Sequence, residues 1–245
     1  MRTIILLMLM VLISTVTFSQ RQKINFNLSI GPTISIPKTS KLIINSNVDG
    51  APEIISSINV GGFILPNLQY NLGERTSFEL GLGFYLDRSN IEDRIGVVTN
   101  KGKRIISQIQ IPFNFNYHFG NDNSYSIGIG AFTSLIVSAK EKGETLSRFS
   151  TISINSPDDP IISNDLVAEY NIEQKSYNST NFGAFIQLRR NIAFTDSTNG
   201  FILLKINQYL NAIKGNDSEV QIGNNLVYND EKEPTMLNIG IGLIL

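Results

Sequence analysis

Hydrophobic and polar residues alternate along this chain with a period of two. In Lys23–Ile36, KINFNLSIGPTISI, every even position from Ile24 to Ile36 is apolar or proline, and every odd position is polar or small. Strands in globular proteins typically run about five or six residues, so an uninterrupted two-faced segment of this length is unusual. The pattern recurs seven times, over Ile58–Leu72, Phe78–Leu86, Ile105–Phe119, Tyr125–Val137, Phe182–Leu188, Ile202–Ala212 and Leu237–Leu245. Period two with β-branched and aromatic residues predicts strands. No solenoid-type repeat stands out, and helical periodicity is confined to short stretches of the connections.

The connections alternate in length. Gly73–Thr76, Gly120–Ser124 and roughly Asn191–Gly200 are short and carry the Gly, Asn and Asp that tight turns use. Pro37–Ser57, Asp87–Arg104, Lys140–Thr180 and Ile213–Pro234 are long and polar. Within Lys140–Thr180 a protruding hairpin is expected around RFSTISI, its pairing left open. Short turns at one end and long loops at the other are the asymmetry of a transmembrane barrel.

Alternation alone fits a soluble barrel equally well, so the character of each face has to decide. A water-facing surface is usually about a quarter to a third charged. Here the polar sides are mostly amides and small residues, such as Asn25, Asn27, Asn67, Gln69, Gln108, Gln110, Asn114 and Asn116. Their few charges are chiefly Lys23, Glu79, Asp87, Arg189 and Lys205. The apolar sides of the eight segments carry no charge, although 17% of the chain is charged. That suits hydrocarbon outside and a confined, hydrogen-bonded interior, because a midplane Arg or Lys on the lipid face costs about 2–4 kcal/mol. Fourteen residues at about 3.3 Å each, tilted by about 40°, rise about 35 Å and cover an apolar band of about 25 Å. Only a closed barrel satisfies every backbone polar group of a sheet in lipid. Tyr70, Phe78, Tyr117, Phe119, Tyr125, Phe194 and Phe201 gather near the short turns, as an interfacial girdle would. The expected fold is an all-β, eight-stranded antiparallel up-and-down transmembrane barrel with short periplasmic turns and long extracellular loops.

The segments TFSQ, IQIPFNFNYHFG, SIGIGAFTSLIVSAK and NFGAFIQL resemble the outer-membrane β-barrel domain proteins abundant in Bacteroidota, the porin-family or PorT-like group. The resemblance spans the chain after the leader and implies an outer-membrane location, with a role in secretion or surface assembly. Many such barrels end in an aromatic residue, whereas this sequence ends in Leu245.

The N-terminus and the composition sharpen the picture. Met1–Ser19 has a cation at Arg2, an apolar run from Ile4 to Ile13 and a small-polar end. This reads as a secretory signal peptide (1–19) preceding one barrel domain (20–245). The net charge is −1, and −2 once Arg2 is removed, which gives no reason to propose nucleic acid as a partner. Without cysteine, neither a disulfide nor a thiolate metal site can form.

Candidate chemistry is sparse. Gly81-Leu-Gly83, Gly128-Ile-Gly130 and Gly240-Ile-Gly242 do not sit between a strand and a helix, so they read as small inner-face residues rather than phosphate loops. The single histidine, His118, cannot build a multi-histidine metal site. It could serve as general base for a nearby hydroxyl in a lipid-modifying barrel, but by parity it points inward, away from the bilayer. Glu79, Asp87, Arg189 and Lys205 share inward parity and are expected to pair and plug the lumen, with inward Phe63, Phe132 and Phe185 narrowing it further. The acidic pairs Glu92-Asp93, Asp158-Asp159 and Asp230-Glu231 lie in the long loops and read as solvated surface. The reading is therefore of a non-enzymatic barrel, monomeric, without cofactor, metal or catalytic residues. Its partners are outer-membrane lipids and a protein engaged through the long loops. A lipid-modifying barrel enzyme and a narrow solute channel are the alternatives.

Overall fold

The computed structural model describes residues 24–36, 40–44, 53–95, 98–151, 162–172, 177–195, 198–213, 220–222, 225–229 and 234–245. In chain order the strands are β1 Ile24–Ile36, β2 Ser40–Ile44, β3 Glu53–Asn71, β4 Thr76–Gly81, β5 Gly83–Ile95, β6 Val98–Phe119 and β7 Tyr125–Thr151. They continue with β8 Ile162–Ile172, β9 Thr180–Thr195, β10 Thr198–Tyr209, β11 Val220–Ile222, β12 Asn225–Asn229 and β13 Thr235–Ile244. Antiparallel neighbours run β1-β13-β10-β9-β7-β6-β4/β5-β3, and β3 pairs back onto β1, so the sheet closes. Counting β4 and β5 as one interrupted stave, the ring has the eight staves the periodicity predicts.

The staves outrun the predicted segments at the long-loop end. Asp87–Arg104, expected as a loop, is a hairpin in which β5 and β6 stay paired out to Ile95↔Val98. β7 runs unbroken to Thr151 and pairs with β8 from Glu141↔Ile172 to Thr151↔Ile162. The hairpin expected around RFSTISI is this pairing. The other long connections carry β2, the outer part of β3, β11 and β12. At the opposite end β9 and β10 continue to Thr195↔Thr198, so Asn191–Gly200 is mostly strand.

Two irregularities have visible causes. The segment predicted as Phe78–Leu86 is split at Leu82, between Gly81 and Gly83. Pro66 on β3 and Pro112 on β6 flank the gap, and neither has an N–H to offer the ladder. Leu82 N–H still donates to the Pro66 carbonyl at 3.1 Å. On β7, Ser138 opposes Ser107 and Ile136 opposes Gln108, which leaves Val137 as an extra residue. This β-bulge resets the strand's parity: Ile127 to Leu135 face outward on odd positions, whereas Ala139 and Glu141 are buried.

Burial decides which face sees what. Ile129 is 69% exposed and Ile241 57%, while Asn116 and Asn207 are 0% exposed. The apolar faces form the outer wall and the amides the interior, the inverse of a soluble barrel. Tyr70, Phe78, Tyr117, Phe119 and Phe194 stand outward near the short turns, as expected of a girdle. Phe201 does not belong with them. It is 1% exposed and lies under the Arg189 guanidinium, 4.6 Å from it, because odd positions on β10 point inward.

The short turns are laced together. Gly120, Asp122 and Asn123 all have positive φ, a conformation that Gly, Asp and Asn tolerate best. Asn123 Nδ2 donates to the Glu74 carbonyl at 2.8 Å, and Asn191 Nδ2 donates to the Asn123 carbonyl at 3.0 Å.

Candidate functional site

The lumen is a stack of filled layers. Nearest the short turns, Glu79 on β4 and Arg189 on β9 form a two-pronged ion pair, with Arg189 Nη2 at 2.7 Å from Glu79 Oε2 and Nη1 on Oε1. Asn27 Nδ2 donates to Oε1, and Asn114 Nδ2 and Gln187 Nε2 donate to Oε2, each at 3.2 Å. Parity explains the convergence, since all five residues occupy inward positions on β1, β4, β6 and β9 and meet across the lumen. Against this pair Phe63, Leu65, Tyr85, Phe201 and Leu203 form an apolar cluster.

The next layer holds Lys205, whose Nζ sits 3.9 Å from the centre of the Phe185 ring and 3.5 Å from Tyr85 Oη. Gln110 Nε2 donates to Tyr209 Oη at 2.9 Å, Gln108 donates to Asp87, and Ser134 donates to Gln108. Ile106, Phe132, Ile136, Tyr177, Tyr209, Ile213 and Met236 cluster toward the far end. There a second buried ion pair closes the barrel. Arg104 Nε and Nη2 each lie 3.0 Å from Glu141 Oε2, Tyr177 Oη donates to the same oxygen at 3.0 Å, and Arg104 lies over the Tyr177 ring.

Of the four inward charges expected to pair, only Glu79 and Arg189 join in an ion pair among the described residues. Asp87 is held by an amide and Lys205 by two rings. Phe63, Phe132 and Phe185 are buried inside as expected. His118 Nε2 lies 2.8 Å from Ser77 Oγ on the inner face. Ser77 is fully buried. Glu92 meets Lys101 at 3.8 Å on the outer part of the sheet. Asp158-Asp159 and Asp230-Glu231 lie outside the described residues, as do Lys23 and the leader. Among the described residues, no group of three or more His, Cys, Asp or Glu could hold a metal.

A family model described as outer membrane protein beta-barrel domain matches residues 18–204, more than half of the chain. The chain belongs to this outer-membrane barrel family. No curated protein matches it. Among solved structures, OprG of Pseudomonas aeruginosa is similar at 13% identity and a TM-score of 0.49, covering 90% of this chain and 95% of that one. Ail, the attachment invasion locus protein of Yersinia pestis, is similar at 9% identity and a TM-score of 0.36, covering 90% and 98%.

Membership places this barrel in the outer membrane and orients it, because such barrels keep short turns on the periplasmic side and long connections outside. The matched stretch ends before β13, yet β13 is the stave that joins β10 to β1. Sequence reasoning missed the Arg104–Glu141–Tyr177 closure. Even parity on β6 does place Arg104 inward, but continuing the parity of β7 would have turned Glu141 outward. The cue available was Val137-Ser138-Ala139, where an apolar, a small polar and a small apolar residue break the alternation.

Proposed function

We propose that this protein is a non-conducting, non-catalytic barrel that anchors an extracellular β-sheet, and that this sheet is its working surface. The observation that carries the reading is the filled lumen. Tyr85, Phe201, Leu203, Lys205, Gln108, Gln110 and Tyr209 are each 1% exposed or less. Such a core supports a closed lumen, since an eight-stranded barrel has space only for side chains or one small ligand. Meanwhile β5, β6, β7 and β8 continue as one paired sheet beyond the closure at Arg104–Glu141. Met1–Ser19 is read as the export signal, and surface assembly or secretion as the setting that the PorT-like resemblance implies.

Single-molecule recording in planar bilayers tests the plug. The full barrel is expected to give no unit conductance, and reproducible steps would establish a channel instead. A photocrosslinker at Val167, which is 58% exposed on β8, tests the surface in whole cells. A discrete adduct with another envelope component is expected. An unchanged band at Val167 and at neighbouring Glu169 removes the binding role. A lipid A mass change upon deletion of the gene would favour the enzyme.

A further inference from the structure

We propose that the outward face of the extended sheet, just above the hydrocarbon belt, binds the phosphorylated headgroup of an outer-leaflet lipid. The inference is independent of what the tip of the sheet binds. Register sets the geometry. Asn90 on β5 opposes Lys103 on β6, and Lys103 opposes Lys142 on β7, whose other neighbour is Asn171 on β8. One tier closer to the bilayer, Arg88 opposes Ile105 and Ile105 opposes Lys140. Arg88, Lys103, Lys140 and Lys142 are all exposed. Among the described residues, no carboxylate pairs with any of the four. Lys101, one tier farther out, has Glu92 at 3.8 Å and Glu144 across the ladder.

Two lysines directly opposite on one face of an antiparallel pair repel each other. That arrangement becomes favourable when an anion sits between them. Space for one exists: an open basin of about 470 Å³ on this face is lined by Lys103 and Lys142 with Ser57 and Asn90, and on its far side by Lys101 between Glu92 and Glu144. Asn90 and Ser57, which hydrogen-bond each other at 3.2 Å, add neutral polar groups to the wall. Height selects the ligand. From the interfacial Tyr117 to Lys103 the strand rises about 35 Å at about 2.5 Å per tilted residue, past an apolar band about 25 Å tall and into the headgroup zone. Ile105, Val137 and Leu135 face outward immediately below, where acyl chains would lie. A lipid with phosphate on its headgroup meets both surfaces at once, and a free anion meets only the upper one.

The test uses the full chain folded in detergent, with lipid A titrated and the bound fraction read by native mass spectrometry. A lysine beside an anionic surface contributes about a fivefold factor, so Lys103→Gln/Lys140→Gln/Lys142→Gln is expected to bind on the order of 100-fold more weakly. Arg190→Gln, which removes an exposed cation at the periplasmic end, is expected to bind as the parent does. Should the triple variant fail to fold, Lys142→Gln alone is expected to lose about fivefold. Equal binding by the parent and the lysine variants overturns the proposal. So does full displacement of lipid A by equimolar inorganic phosphate, which would identify a free-anion site.

Discussion

Breaking the Glu79–Arg189 pair is the sharpest test of the idea that the lumen, rather than the outer wall, holds this barrel together. The Glu79 side chain is 1% exposed and that of Arg189 is 4% exposed, so neither charge can turn to water when its partner is lost. Glu79→Ala leaves a guanidinium whose Nε already lacks a hydrogen-bond partner, supported chiefly by the Phe201 ring. It also strips one of two acceptors from each of the Asn27, Asn114 and Gln187 side-chain amides, which keep Gln69 or Asn116. Removing one member of a buried pair costs about 3–5 kcal/mol. Replacing both members with apolar residues of similar volume removes the uncompensated charge, so Glu79→Met/Arg189→Met should cost at least about 2 kcal/mol less than the sum of the single variants Glu79→Met and Arg189→Met. The assay is equilibrium urea unfolding in phosphatidylcholine vesicles, with folded and unfolded chains separated on unheated gels. Additive single and double variants, within about 0.5 kcal/mol, would refute the reasoning.

Two other perturbations address the wall and its irregularity. Ile129→Lys, at an outward position of β7 that is 69% exposed, is expected to destabilise the vesicle-inserted barrel by about 2–4 kcal/mol in the same unfolding assay, while Ile129→Leu stays near the parent. Deleting Val137 removes a residue with no partner on β6, so the barrel should insert and keep Glu141 on Arg104. Deleting Ile129, which is paired on both sides with Phe115 and Ile186, shifts half the strand to the wrong face and should abolish the folded band.

Much of this architecture is legible because a barrel in lipid imposes one rule on every stave. Any inward position must be polar or packed and any outward position apolar, so parity alone locates Asn27, Glu79, Asn114, Gln187 and Arg189 in one interior. Parity cannot supply height. Asp87, Arg189 and Lys205 share a face, yet each meets a different partner, Gln108, Glu79 and the rings of Tyr85 and Phe185 respectively. Proximity to a turn is a weaker cue than parity, which is why Phe201 reads as girdle by position and is core by direction. The outer sheet escapes a period-two reading for a different reason. Beyond the bilayer the outward face meets water instead of lipid, so Arg88–Glu92 and Lys140–Leu146 lose their apolar outer side while the backbone ladder continues.

The inverted arrangement also says where structural specificity has to come from. A soluble core is selected by the gain of removing apolar area from water, but the outer wall of this barrel exchanges one hydrocarbon environment for another once it is in the membrane. Polar partners in the lumen then distinguish the native register from a slipped one. A one-residue slip of β9 would turn Gln187 and Arg189 to lipid and leave the Glu79 carboxylate unpaired inside. The same logic applies to β7 above Val137, where losing the bulge without deleting a residue would expel Glu141 and strand Arg104. Each buried ion pair therefore locks the register of the staves that carry it, one at each end of the barrel, and the amide layers between them are tolerant of exchange so long as every donor keeps an acceptor.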